Sequence, residues 1–132
     1  FDAYRQFYRK PSDPEGARAF IHERLEAGDS LILLARDRTG QAAGFTQLYP
    51  TFSSVRMRRV WVLNDLFVAP EARGQGVGRA LMEVARRHAT AEGVVALTLA
   101  TEKDNHAAKA LYESLGYEQD TAFDYYECPL VL

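Results

Sequence analysis

Between residues 58 and 100 the chain changes its hydrophobic period twice, and no other stretch restricts the fold so tightly. Residues 58–68, RRVWVLNDLFV, are dense in valine, leucine and tryptophan or phenylalanine, a composition that suits a central strand. Val77, Leu81, Val84, Ala85 and His88 then fall on one face at helical spacing, which makes His88 a packed helix residue, and Gly93 stands where a helix C-cap belongs. Residues 94–100, VVALTLA, form a nearly continuous apolar run suited to a strand buried on both faces. Strand, helix, strand in this order predicts a parallel βαβ unit.

The flanking segments complete a mixed fold. Phe1, Tyr4, Phe7 and Tyr8 have near-helical spacing, and Pro11 ends that helix. Ser12 and Glu15 have capping-box spacing ahead of a second helix, whose stripe of Ala17, Phe20, Ile21 and Leu25 stops before Gly28. Residues 31–36 and 42–50 read as a hairpin around the turn Asp37-Arg38-Thr39-Gly40. Ala108, Leu111, Tyr112 and Leu115 give another helix closed by Gly116, and residues 117–130 read as a terminal pair of strands around Asp120-Thr121. The expected fold class is α/β of the α+β kind. It has a mixed, mostly antiparallel central sheet, a parallel βαβ unit and flanking helices. At about 150 residues per domain, the 132 residues are expected to form a single domain, 1–132. Phe1 opens inside an amphipathic pattern without an initiator Met, so a missing upstream piece is expected.

Charge and cysteine usage narrow the partners. With 18 acids against 16 bases the net charge is -2, which supplies no positive field for a nucleic-acid backbone. The longest purely apolar stretch, residues 31–35, is far short of the roughly 18–20 residues that cross a bilayer, so no membrane span is expected. Cys128 is the lone cysteine, and His22, His88 and His106 stand too far apart for a local metal motif. These features predict a cytoplasmic protein with no structural metal.

The chemistry is concentrated in Arg73-Gly74-Gln75-Gly76-Val77-Gly78-Arg79, between the central strand and the amphipathic helix. Residues without a Cβ let a turn bring successive backbone N–H groups onto phosphate oxygens, and the helix start adds its positive dipole end. A diphosphate is the natural guest; a tight connection with glycines for packing is the plainer reading. The Walker pattern fails because no Gly-Lys-Ser/Thr follows, and the dinucleotide pattern fails because Arg79 and Leu81 fill the places its third glycine needs.

This loop, preceded by Asn64-Asp65-Leu66-Phe67-Val68-Ala69-Pro70 and followed by Ala80-Leu81-Met82, resembles the Gln/Arg-x-x-Gly-x-Gly/Ala signature of the GCN5-related N-acetyltransferases. A second element of that family, an asparagine seven residues before a tyrosine and a Leu-Gly-Tyr ending, stands here as Asn105, Tyr112 and Leu115-Gly116-Tyr117. The likeness covers nearly the whole chain, apart from the family's first strand and part of its first helix. Tyr4-Arg5-Gln6-Phe7-Tyr8 and Asn64-Asp65-Leu66 look most like its histone and polyamine acetyltransferase-related branch.

The resemblance implies an acetyl-CoA-dependent enzyme that acylates a primary amine, with a small amine, a polyamine or a protein lysine as acceptor. It implies that the pantetheine arm lies along Leu66, Phe67 and Val68 in a splay between residues 58–68 and 94–100. The diphosphate would sit on the amides of Gly74, Gln75, Gly76, Val77 and Gly78, flanked by Arg73 and Arg79. Tyr112 becomes the acid for the departing thiolate, although on its helical stripe it also fits as a core aromatic. Asn105 either fixes the coenzyme arm or caps its helix. Asn64 replaces a glutamate base, leaving Asp65 as base through water or as a loop anchor, and strand alternation puts Asp65 on the face opposite Asn64. Tyr4, Tyr8 and Tyr49 either line the acceptor side with Asn64 or pack in the core. Arg56, Arg58 and Arg59 either hold the coenzyme's 3′-phosphate or mark an exposed strand end. The aromatic end Phe123-Asp124-Tyr125-Tyr126 suits a homodimer. A coenzyme-binding module without turnover is the competing class.

Overall fold

Local side-chain chemistry decides where the first helices stop and start. The computed structural model describes residues 1–131, which divide into two compact units, Phe1–Ala100 and a second from Thr101 onward. In the first unit α1 (Asp2–Phe7) is a short helix with no buried residue. The Asp2 carboxylate accepts from the Ser12 hydroxyl at 2.7 Å and the Asp13 amide at 2.7 Å, bonds that hold its carboxyl below the usual range. α2 (Pro14–Ala27) is capped by Asp13, whose side chain accepts from the Gly16 amide at 3.0 Å. The expected Ser12–Glu15 box is therefore corrected by one residue, because Ser12 bonds Asp2 and Pro14 takes the first helical position.

β1 (Leu31–Arg36) and β2 (Ala42–Ser53) form the expected hairpin, and β2 pairs antiparallel with β3 (Arg58–Val68). After the crossover α3 (Val77–Ala91), β4 (Leu97–Thr98) pairs parallel with β3, giving the order β1-β2-β3-β4. A mixed, mostly antiparallel sheet with one parallel βαβ unit is the architecture expected. Its core is Leu48, Leu63, Met82 and Ala85, where α3 covers the sheet. α3 buries Leu81, Met82, Ala85 and Ala89, so its buried stripe is turned toward Met82 and His88 is exposed rather than packed.

Two expected strand segments are corrected. Residues 94–100 contribute two strand residues, helped by bonds from Trp61 N to Ala96 O and from Val95 N to Arg59 O, both 3.1 Å, and none of the seven is buried. Among the described residues β4 has a ladder partner on its β3 side alone, which makes it a short edge strand rather than the central buried one expected. In the second unit α4 (His106–Ser114) forms as expected, ending at Gly116 with φ 90. Residues 117–130 form no strand. The turn itself is present, with the Asp120 carboxylate accepting from the Ala122 amide at 2.9 Å, but turn chemistry is local whereas a ladder needs an edge to join.

Candidate active site

Backbone alternation along β3 decides which amides are available. The Ala69 amide donates to the Ala43 carbonyl at 2.8 Å, which aims Ala69 and Phe67 at β2 and turns the amides of Leu66 and Val68 the other way. On that other side the β3–β4 ladder ends at Val62↔Thr98. From Leu63 to Val68, β3 thus has a strand partner on one side only among the described residues, the splay in which an extended ligand can add as a strand.

Past Val68 a 3-10 turn (Pro70–Ala72) leads into the glycine loop. Gly74 and Gly76 have φ of 76 and 80, and a Cβ on either would meet no atom within 4 Å. Backbone conformation, not packing, therefore demands glycine there, which disfavours the plainer packing reading. Gly76 is the N-cap of α3 without a side-chain cap, and the first rung runs from the Ala80 amide to the Gly76 carbonyl at 3.0 Å. The amides of Val77, Gly78 and Arg79 lie ahead of that rung at the positive end of the helix dipole. Arg73 Nε donates to the Val68 carbonyl at 3.0 Å, and its guanidinium lies over Phe67 at 5.7 Å and Phe7 at 6.0 Å. Gln75 Nε2 donates to the Glu71 carbonyl at 3.2 Å. Both side chains brace the loop, leaving their main chain to face a ligand.

A bulge builds the other half of the site. The β2–β3 register passes from Gln47↔Asp65 to Leu48↔Leu63, leaving Asn64 as the extra residue. This corrects the expectation that Asn64 and Asp65 face opposite ways, because the bulge lets Asn64 Nδ2 donate to Asp65 Oδ1 at 2.7 Å. Asp65 is 2% exposed, and its Oδ2 accepts from Gln47 Nε2 at 2.7 Å. Gln47, fully buried, accepts in turn from the Ser30 hydroxyl at 2.9 Å. Thr46 Oγ1 donates to the Asp65 carbonyl at 2.7 Å.

Over this network lies α1. Tyr4 donates to the bulge carbonyl of Asn64 at 3.1 Å, and its ring meets Tyr8, Phe45 and Phe67 edge-on at 5.2, 5.8 and 6.4 Å. Burial and the Asp65 charge push the Tyr4 phenol well above its ordinary pKa, and the same two causes raise that of Tyr49. Both stay protonated at neutral pH, so neither serves as a base. Aromatic faces beside a buried carboxylate make an environment that receives a cation.

The second unit holds Asn105 and Tyr112. Asn105 caps α4, accepting from the Ala108 amide at 3.2 Å, which is one of its two readings. Tyr112 is half-buried on α4 with its ring 6.1 Å from that of Tyr117. Arg58 and Arg59 open β3 at the end away from the loop, about 33 Å from Val68 at strand rise, and Arg59 donates to the Glu92 carbonyl. The exposed-strand-end reading fits them better than a phosphate site near the loop.

Sequence reasoning missed Ser30, Gln47 and Gly44. Thr46-Gln47 inside an otherwise apolar strand was the available signal for the buried network. A lone glycine within a strand pattern was the signal for Gly44, where a Cβ would stand 2.7 Å from the Phe67 carbonyl and 3.2 Å from Val77 Cγ1.

A splayed strand that runs into a diphosphate-type loop at a helix start defines a class, the acyl-CoA-dependent transferases. Residues 1–117 match the acetyltransferase (GNAT) family, and the chain belongs to that family. Its members use acetyl-CoA, and the chain is an acetyltransferase of this type. It is 52% identical over 126 residues to an uncharacterized N-acetyltransferase of Bacillus subtilis, covering 96% of this chain and 84% of that one. It is 37% identical to a D-amino-acid N-acetyltransferase of Saccharomyces cerevisiae, covering 89% and 74%. A crystal structure of a probable acetyltransferase superposes with TM-score 0.92 at 42% identity, covering 99% of this chain and 87% of the other. Among the described residues no helix is long and apolar enough to cross a membrane, and no cluster of three His, Cys, Asp or Glu side chains suits a metal.

Proposed function

We propose that the chain, a single acetyltransferase domain, moves the acetyl group of acetyl-CoA onto a primary amine: a small amine, a polyamine or a lysine side chain. The observation that carries this reading is the buried Asp65 carboxylate set by the Asn64 bulge under the aromatic rings of α1. An alkylamine with pKa near 10.4 lies about 4 to 5 kcal/mol from its reactive neutral form at neutral pH. Asp65 draws in the ammonium and takes its proton through water, while Tyr4, Tyr8, Tyr49 and Asn64 line the acceptor side. The outward amides of Leu66 and Val68 hold the pantetheine arm with Phe67 between them, and the Leu66 amide stabilises the oxyanion formed when nitrogen attacks the thioester carbonyl. The amides from Gly74 to Gly78, with Arg73 and Arg79 at either end, hold the diphosphate. Tyr112 donates the proton that the departing thiolate needs, and Asn105 either steadies the coenzyme or serves as a cap alone.

A relative named for acetylating D-amino acids supports an amine acceptor. In the same reading the enzyme works in the cytoplasm as a homodimer, for which the exposure of Phe123, Tyr125 and Tyr126 is the supporting observation. The second reading, a coenzyme-binding module without turnover, draws on Asn64 standing where the resembled branch has a glutamate. Release of free CoA across a panel of amines, with the products weighed by mass spectrometry, separates the two. Acetylated amine is expected; coenzyme binding with no product from any amine would favour the module.

A further inference from the structure

Asp65 is a buried carboxylate held by neutral donors. It is 2% exposed, takes Asn64 Nδ2 on Oδ1 and Gln47 Nε2 on Oδ2, both at 2.7 Å, and has no salt bridge among the described residues. An ionised carboxylate withdrawn from water needs good donors, a counter-charge or both. The two amides supply the donors.

The fold fixes how Gln47 does so. It stands opposite Asp65 in the β2–β3 register, just before the bulge, and is fully buried. A carboxylate only accepts, so the Gln47 amide must turn Nε2 toward Asp65, which leaves Oε1 facing away. There the Ser30 hydroxyl, at the entry to β1, donates to it at 2.9 Å. Without that donor Oε1 would be a buried acceptor with no partner, and the amide would lose one of the two bonds that fix its orientation. Thr46 Oγ1 pins the main chain of Asp65 through its carbonyl at 2.7 Å.

Main chain and both carboxylate oxygens of Asp65 are thus fixed. The lone pairs left over belong to the side where Tyr4 of α1 and Tyr49 of β2 feel its charge, with Tyr8 acting on Tyr4, and Arg24 and Asp29 on Tyr49. An amide neither gains nor loses a proton at neutral pH, so the Ser30–Gln47 arm orients the carboxylate and relays nothing.

We propose that Ser30 and Gln47 are positioning residues for acetyl transfer: the serine sets the amide, the amide sets the carboxylate, and Asp65 presents its remaining lone pairs, ionised, to the ammonium of the acceptor. This rests on the reading of Asp65 as the group that meets the amine, and it has a sign. Loss of a donor to the charged carboxylate favours its neutral form, so activity should be lost at the acid end of the pH range first.

Release of free CoA from acetyl-CoA, followed from about pH 5 to 9, reads that sign. Butylamine, spermidine and Nα-acetyl-lysine serve as acceptors for the wild type, Gln47→Leu, Ser30→Ala and Ser30→Thr, and calorimetric binding of coenzyme A shows which proteins are folded. Gln47→Leu should lower kcat/KM for the amine by about 10- to 100-fold and move its acidic limb up by about one pH unit or more, with KM for acetyl-CoA unchanged. Ser30→Ala should move the limb the same way by about half as much, and Ser30→Thr, which keeps the hydroxyl, should restore it. An unmoved limb in either variant, in protein that still binds coenzyme A, overturns the positioning role; should Gln47→Leu fail to fold, the Ser30 pair decides it. A wild type that acetylates none of the three amines, or an Asp65→Asn variant that keeps the wild-type acidic limb, overturns instead the reading of Asp65 itself.

Discussion

Replacing Gln47 with leucine tests the buried network most sharply, since the two side chains are close in size and the change removes only polar bonds. Gln47 is fully buried, with Nε2 donating to Asp65 Oδ2 at 2.7 Å and Oε1 accepting from Ser30 at 2.9 Å. The bond to the carboxylate is worth about 1.5–3 kcal/mol and the one to Ser30 about 0.5–1.5 kcal/mol. Asp65, 2% exposed, would retain the Asn64 amide as its donor but lose half of its solvation by the protein. Gln47→Leu should therefore cost about 2–4 kcal/mol, a large part of the roughly 5–15 kcal/mol that holds a domain together. Urea unfolding followed by circular dichroism reads this directly. The loss should shrink to about 1 kcal/mol or less when Asp65→Leu is present as well, because the stranded charge is then gone. A loss under about 1 kcal/mol in the single variant, or an equal loss with and without Asp65, would refute the coupling.

Other consequences can be checked as readily. Gly44→Ala places a Cβ 2.7 Å from the Phe67 carbonyl, so β3 must shift; a loss of about 1–3 kcal/mol with weaker CoA binding is expected, and an unchanged melting curve would contradict it. Tyr4 has its phenol pKa raised above the ordinary 10.0, so its neutral form stabilises the fold fully below that pH and the contribution is lost as pH climbs beyond it. Stability should fall above about pH 10 in the wild type and less steeply in Tyr4→Phe; equal slopes would show that the phenol is not held by the fold. Tyr112→Phe should lower kcat by about 10²- to 10⁴-fold, and an unchanged rate with chemistry rate-limiting would remove Tyr112 from the acid role.

The parts of the fold that short-range chemistry dictates were legible in the sequence. β3 has the predicted bounds, residues 58–68, because its apolar density ends at Pro70, and α3 follows the glycine loop as its helical stripe requires. The loop itself was legible because positive φ at Gly74 and Gly76 demands the residue that has no Cβ. What depends on neighbours was not. The apolar run at residues 94–100 contributes only a two-residue edge strand, and the segment after Tyr117 has its turn but no ladder. His88 sits on the margin of a stripe that only the sheet's position could centre. In the candidate site, strict alternation misplaced Asp65 relative to Asn64 because a bulge is invisible to a period of two. Ser30 and Gln47 lie 35 and 18 residues before Asp65, separations that no local pattern spans and that the register Gln47↔Asp65 closes.

Coenzyme binding depends most on the main chain of the glycine loop gripping a diphosphate, and calorimetric titration measures that grip directly. Coenzyme A and pantetheine, which lacks the diphosphate, are titrated separately into the full chain. Saturable binding of coenzyme A at one site per chain is predicted, with pantetheine at least about 100-fold weaker, a difference of about 2.7 kcal/mol. Absence of binding by coenzyme A, or equal binding by pantetheine, would contradict the account.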